Sequence, residues 1–201
     1  MRSQKTNETP TVLYIMWGFF LLLLLNCISS TDLQNMVYVS EQKPIDAFVI
    51  GKPTRKAEWE TPPKVRVCAS TQLTMYRVEN AVKYWERLGY EFEYSYKDFI
   101  IDCMNPRYGE IIITLPEGGF SAHHMASTRL YTSNRTGKIV MAKIFILPKN
   151  GRKERVLEHE LGHALGWNHY NQRMHIMHPN WREGGYNSKG LRKTNLTRNK
   201  K

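Results

Sequence analysis

The chain has 201 residues, 41% of them hydrophobic and 23% charged, which suits one catalytic-sized domain with short extensions and excludes two full domains. Its formal charge is +11, yet no basic stretch is interleaved with aromatics and no helix-turn-helix or RNA-binding signature is present. The charge therefore reads as solubility and a basic tail, not as specific nucleic-acid binding.

Arg2 and Lys5 precede an apolar run from Val12 to Leu25, broken only by Gly18, and small polar residues follow it. That is the layout of a secretory signal, and the run is shorter than the roughly 20 residues a membrane span prefers. Residues 1–30 are expected to be a cleaved signal peptide, or an N-terminal anchor if left uncleaved, and the protein to be exported. Removing them takes away Arg2, Lys5 and Glu8 and leaves +10, so the basic character belongs to the exported part. Residues 31–61 lack periodicity, contain Pro44 and Pro53, and read as a linker or short pro-segment.

Val65–Cys68 alternates and predicts a strand, with Ser70 or Thr71 as the cap of a helix. Leu73, Tyr76, Ala81, Tyr84, Trp85 and Leu88 form one apolar stripe at helical spacing, ended by Gly89. Tyr90–Tyr96 alternates and predicts a strand, followed by Phe99–Cys103. Glu110–Leu115 is the next strand, closed by Pro116. A loop through His123, His124 and Ser133 to Gly137 leads to a strand over Lys138–Leu147, ended by Pro148. Lys149–Arg152 reads as a turn and 152–166 as the second helix. Helices do not alternate with every strand, so an α+β mixed sheet with helices on one side is expected.

Of three cysteines, Cys27 falls beside the signal and leaves Cys68 and Cys103. An even pair in an exported chain predicts a disulfide. Two buried thiols, or one cysteine acting as an inhibitory metal ligand, are the alternatives.

Residues 159–169 read His-Glu-Leu-Gly-His-Ala-Leu-Gly-Trp-Asn-His. On a helix, His159 and His163 project from one face, one turn apart. Glu160 points aside from them, placed to reach a water rather than to ligate. Gly166 lets the chain leave the helix through a conformation other residues resist, which brings His169 back as a third ligand. Three histidines with one open position is the donor set of catalytic zinc, whereas structural zinc favours four protein ligands and cysteine.

Met177 lies eight residues past His169, within Ile176-Met177-His178-Pro179. With it, the chain resembles the metzincin clan of zinc peptidases, on His159, Glu160, His163, Gly166, His169 and Met177. The Met-turn looks most like that of the matrix-metalloproteinase branch. The resemblance covers about residues 62–190 as a catalytic domain, with 191–201 as a basic tail. It implies a mostly parallel twisted sheet with an antiparallel edge strand, helices at about 70–88 and 152–166, and a small subdomain after the zinc helix. It also implies that Met177 floors the histidines without ligating, and that Ile139–Ile146 is an edge strand on which an extended peptide pairs.

The chain departs from that branch in several places. Tyr170 follows the third histidine, and Pro179 stands where some branches carry a tyrosine switch. Residues 116–137 contain no Asp, so calcium is not indicated, and His123 and His124 read as ordinary loop histidines. Gly184, Gly185 and Gly190 interrupt the place of the usual C-terminal helix, leaving only a short turn over Ser188–Lys193.

The expected function is that of a monomeric zinc endopeptidase with one catalytic ion, Glu160 as general base, and a protein or peptide substrate. The alternatives are a zinc amidase acting on a non-protein substrate and a non-catalytic zinc-binding domain. Pro179, Asn180 and Trp181 are candidates for the substrate pocket, with core packing the equal reading for Trp181. Asn134 and Asn195 match the glycosylation pattern.

Overall fold

The computed structural model describes residues 36–39, 51–100, 103–117 and 124–193. The expected signal or anchor, His123 and the tail from residue 194, Asn195 included, lie outside the described residues. No described helix is long and apolar enough to cross a membrane. Apart from Met36 at the start of the first strand, all that follows belongs to the unit Val37–Lys201.

The strands are β1 (Met36–Val39), β2 (Lys64–Cys68), β3 (Ser95–Asp98), β4 (Glu110–Thr114), β5 (Ala126–Ser133) and β6 (Ile139–Ile146). They form one sheet in the order β1-β5-β6-β4-β2-β3. β2 pairs in parallel with β3 and β4, β4 pairs in parallel with β6, and β5 runs antiparallel to β6. The helices are α1 (Met75–Glu86), the single turn α2 (Pro148–Gly151) and α3 (Val156–Ala164). The α+β class and the mostly parallel sheet with an antiparallel pair match the expectation.

Period-two alternation explains why both helices sit on one face. Val65, Val67, Ile111, Ile113, Ala142 and Ile144 point to the side where Val78, Ala81, Trp85, Leu157 and Leu161 of α1 and α3 close the core. The intervening positions face the other way. In register across the sheet they run Tyr96, Arg66, Ile112, Lys143, Arg129. There Arg66 donates to Asp98 at 3.2 Å and Tyr96 to Glu110 at 2.9 Å, so buried charge is paired. The Cys68–Cys103 disulfide lies on this face beside Ile112, as expected, with Cα atoms 5.5 Å apart. Its presence removes the alternatives of two free thiols and an inhibitory ligand.

Several local readings are corrected. α1 begins at Met75 and not near residue 70, because Gln72 turns left-handed (φ 57°) and ends a short 3-10 turn over Ala69–Thr71. The cap is Thr74, whose hydroxyl accepts from the Arg77 N–H at 3.3 Å. The strand read over Tyr90–Tyr96 is reduced to Ser95–Asp98. Tyr90 belongs to the helix exit: Gly89 is left-handed (φ 93°) and the Tyr90 N–H bonds back to Trp85 O at 3.2 Å. Phe99 and Ile100 form no strand and are exposed. The helix read over 152–166 begins only at Val156, because Arg155 adopts φ 68°, and Pro148 starts α2 where a turn was expected.

The largest correction concerns the edge strand. Ile139–Ile146 is buried throughout and carries β5 on one side and β4 on the other, so neither edge is free for a peptide. The antiparallel strand is Ala126–Ser133, in the stretch read as a loop.

Residues 51–60, within the expected linker, form a strap across the end of α3. Lys56 N–H donates to Gly166 O (2.8 Å), Asn168 N–H to Thr54 O (3.0 Å) and Ile139 N–H to Glu58 O (2.7 Å). Trp59 Nε1 caps Ala164 O at 2.8 Å and Arg55 Nε caps Leu165 O at 2.8 Å, satisfying carbonyls that a helix end leaves open.

Candidate metal centre and substrate cleft

α3 supplies His159, Glu160 and His163, and its end is built to return the chain. Gly166 takes φ 97°, and a Cβ there would meet Ala57 O of the strap at 2.2 Å. Glycine is thus required twice, for conformation and for close approach. The turn brings His169 to the other two: one ligand atom from each histidine lies within 4.8 Å of the others. The ring centroids of His163 stand 4.6 Å from His159 and 4.5 Å from His169.

Hydrogen bonding decides which nitrogens face inward. His159 Nδ1 donates to Ile176 O at 2.7 Å and His163 Nδ1 to Trp167 O at 2.8 Å. A carbonyl only accepts, so both Nδ1 atoms carry hydrogens and both Nε2 atoms of the neutral rings carry lone pairs. Those Nε2 atoms are 3.0 Å apart. Two lone pairs at that distance repel unless a cation lies between them. A tetrahedral zinc with bonds of about 2.0–2.1 Å sets its nitrogens about 3.3 Å apart. The donor set is therefore one that could hold a metal ion and is compatible with zinc, and the two carbonyls stand where the outer partners of metal-binding histidines stand. Burial lowers His159 to about 4 and His169 to about 3, with neighbouring histidines adding repulsion, and lowers His163 well below its ordinary value for the same reasons. All three are neutral near pH 7, the state in which imidazole ligates.

Glu160 is buried, and Thr128 Oγ1 of β5 donates to its Oε2 at 2.6 Å. Met177 is fully buried beneath α3, where a Cβ on Gly162 would meet its sulfur at 2.4 Å and Trp85 Cζ2 at 2.7 Å. Gly162 therefore leaves the room in which the Met177 side chain packs against α3. His175 shapes the turn around it: its Nδ1 accepts from Met177 N–H at 3.1 Å while Nε2 donates to Lys189 O at 3.1 Å. The glycine-rich stretch has a physical reason too. A Cβ on Gly185 would strike Met174 O at 2.4 Å, since this segment lies against the Met-turn. Leu191 N–H bonds to Ser188 O at 3.0 Å, giving the short turn expected there, and Leu191 is buried.

A cavity of about 820 Å³ opens beside these groups. His159, Glu160, His163 and His169 line one wall and Ala126–Thr128 of β5 another. Pro179, Asn180 and Trp181 line it as well, as does the exposed His124. Trp181 is 37% exposed and donates to Glu154 O at 2.9 Å, so core packing does not describe it.

Sequence reasoning missed Thr128, Gly162, Arg155 and the strap. A glycine inside a helix, at a cost of about 1 kcal/mol relative to alanine, was the available signal for Gly162. Asn134 sits exposed in the turn between β5 and β6. No protein-family model matches the chain, and no curated protein matches it.

Proposed function

We propose that the protein is a zinc-dependent endopeptidase of metzincin type, holding one zinc ion through His159, His163 and His169. The observation that carries this reading is the pair of Nε2 lone pairs 3.0 Å apart, with a buried carboxylate from the next residue lining the same cavity. Zinc in that position supplies Lewis acidity toward a carbonyl and makes a water acidic enough to react near neutral pH. Glu160 takes the proton of the attacking water and passes it to the leaving amine, the role of a general base and acid. Thr128 holds that carboxylate in place through its Oε2. His159 and His163 are kept in the ligating tautomer by Ile176 O and Trp167 O, and Met177 supports them from below. The cavity, of about 820 Å³ and lined in part by Ala126–Thr128 of β5, has room for several residues of a polypeptide. The disulfide agrees with export to an oxidising compartment.

The test is incubation of the zinc-loaded protein with a denatured proteome, with new termini read by mass spectrometry. Cleavage that stops with chelator and returns with zinc is expected. Glu160→Gln should keep one zinc per chain and lose hydrolysis; retention of full activity in that variant would refute the assignment of the base. Hydrolysis of small amides alone would turn the reading to the amidase, and stoichiometric zinc without any turnover to a binding domain.

A further inference from the structure

The cleft is electrically one-sided. Lys56, Arg155 and Arg182 line it, and Glu160 is the one acid among its described lining residues. Arg155 is the unusual member. It takes a left-handed backbone conformation (φ 68°), which non-glycine residues rarely adopt. It also stands at the N-cap of α3, where the helix dipole disfavours a cation. Its Nη1 donates to Gly184 O and to Trp181 O (3.3 Å), and its guanidinium lies 5.0 Å over the Trp181 ring. Among the described residues its Nε and Nη2 have no hydrogen-bond partner, and no carboxylate forms an ion pair with it. Glu158, the nearest acid along α3, is committed to Arg77 through both oxygens, at 2.8 and 2.6 Å. A half-buried, pre-oriented guanidinium with free donors in a cleft suits a carboxylate.

We propose that this part of the cleft receives a carboxylate side chain of the substrate, making acidic peptides the preferred class. The proposal rests on the endopeptidase reading. Arg155 precedes His159 by four residues, about 6 Å of helical rise. An extended peptide advances about 3.3 Å per residue, so the acidic residue lies within about two residues of the cut. The exposed Lys56 and Arg182 steer such a substrate toward the cleft.

The experiment uses the zinc-loaded full chain and peptide pairs that differ only by Glu or Gln, or by Asp or Asn, near the cut. The acidic partner should be cleaved with about tenfold or greater kcat/KM, the scale of one charge-assisted hydrogen bond. In Arg155→Met that ratio should fall to near one while neutral peptides are still cut. In Arg155→Lys, which keeps the charge but loses the fork, part of the preference should remain. Equal cleavage of the paired peptides by the wild type, or an undiminished ratio in Arg155→Met, would overturn the proposal. If Arg155→Met does not fold, the wild-type ratio and Arg155→Lys decide. If no peptide is cut, the endopeptidase reading fails separately. Titration of tryptophan fluorescence with N-acetylglutamate against N-acetylglutamine, with Trp181→Phe as control, then judges the anion site. A response selective for the glutamate supports the site, and equal responses overturn it.

Discussion

Replacing Gly166 by Ala separates two costs that the structure assigns to one position. The first is conformational: alanine at φ 97° leaves its preferred backbone regions, at about 1–2 kcal/mol. The second is contact: the new Cβ would stand 2.2 Å from Ala57 O, so the strap must move by more than 1 Å, roughly the overlap with a normal contact near 3.4 Å. That motion strains the bonds from Lys56 N–H to Gly166 O and from Trp59 Nε1 to Ala164 O, at about 1 kcal/mol each. The sum is a loss of about 3–4 kcal/mol, or about 6–16 °C in Tm for a chain of this size. Gly137 is the internal control. It has φ 67°, and its Cβ would meet nothing within 4 Å, so Gly137→Ala carries only the first cost. Thermal unfolding of both variants in chelator reads the difference directly. Zinc affinity, by competition with a chromophoric chelator, should fall in Gly166→Ala alone, since His169 lies three residues beyond the disturbed turn. Equal Tm losses in the two variants would refute the role given to the strap.

Thr128→Val should lower kcat/KM by about tenfold, the worth of one hydrogen bond to a charged group, with zinc stoichiometry unchanged; an unchanged rate would remove Thr128 from the positioning of Glu160. Replacing Cys68 and Cys103 together by Ser opens a loop of sequence separation 35 and should cost about 4 kcal/mol in chain entropy. Because the bridge lies on the sheet face away from the helices, activity below the lowered Tm should survive, and its loss in folded protein would contradict that placement. The zinc-free protein should weaken on acidification. Burial lowers the folded values of His159 to about 4 and His169 to about 3, so their contribution is complete above the unfolded value near 6.5. It declines as pH falls through the window toward 4, at less than about 1.4 kcal/mol per unit for each group, the exposed His169 contributing less. Urea midpoints measured in chelator between pH 7 and 5 should therefore drop, and His159→Asn should flatten the slope; midpoints that rise with acid would refute the burial.

Several elements were legible because their signal is local. The i, i+4 spacing places His159 and His163 on one helical face whatever surrounds it, and Gly166 announces the exit that His169 needs. β2, β4 and β6 are short β-branched runs bounded by turn residues, and α1 has an apolar stripe. Their boundaries moved where one residue's conformation overrode the pattern, as at Gln72 and Arg155. β5 was read as a loop because Ala126–Ser133 is weakly patterned, and it becomes a strand through pairing with β6.

The chain alone determined the candidate metal-ligand residue types and their order, and it pointed to a Cys68–Cys103 bridge with alternatives still open, since these depend on spacing within the chain. Only the tertiary structure decided what surrounds them. Thr128 reaches Glu160 across 32 residues of sequence, and Arg55 reaches Leu165 across 110. Neither contact has a period or a motif, because each arises from the sheet order and from how α3 packs on it. The same holds for Arg155, whose place in the cleft is set by its bonds to Trp181 O and Gly184 O, 26 and 29 residues away in sequence.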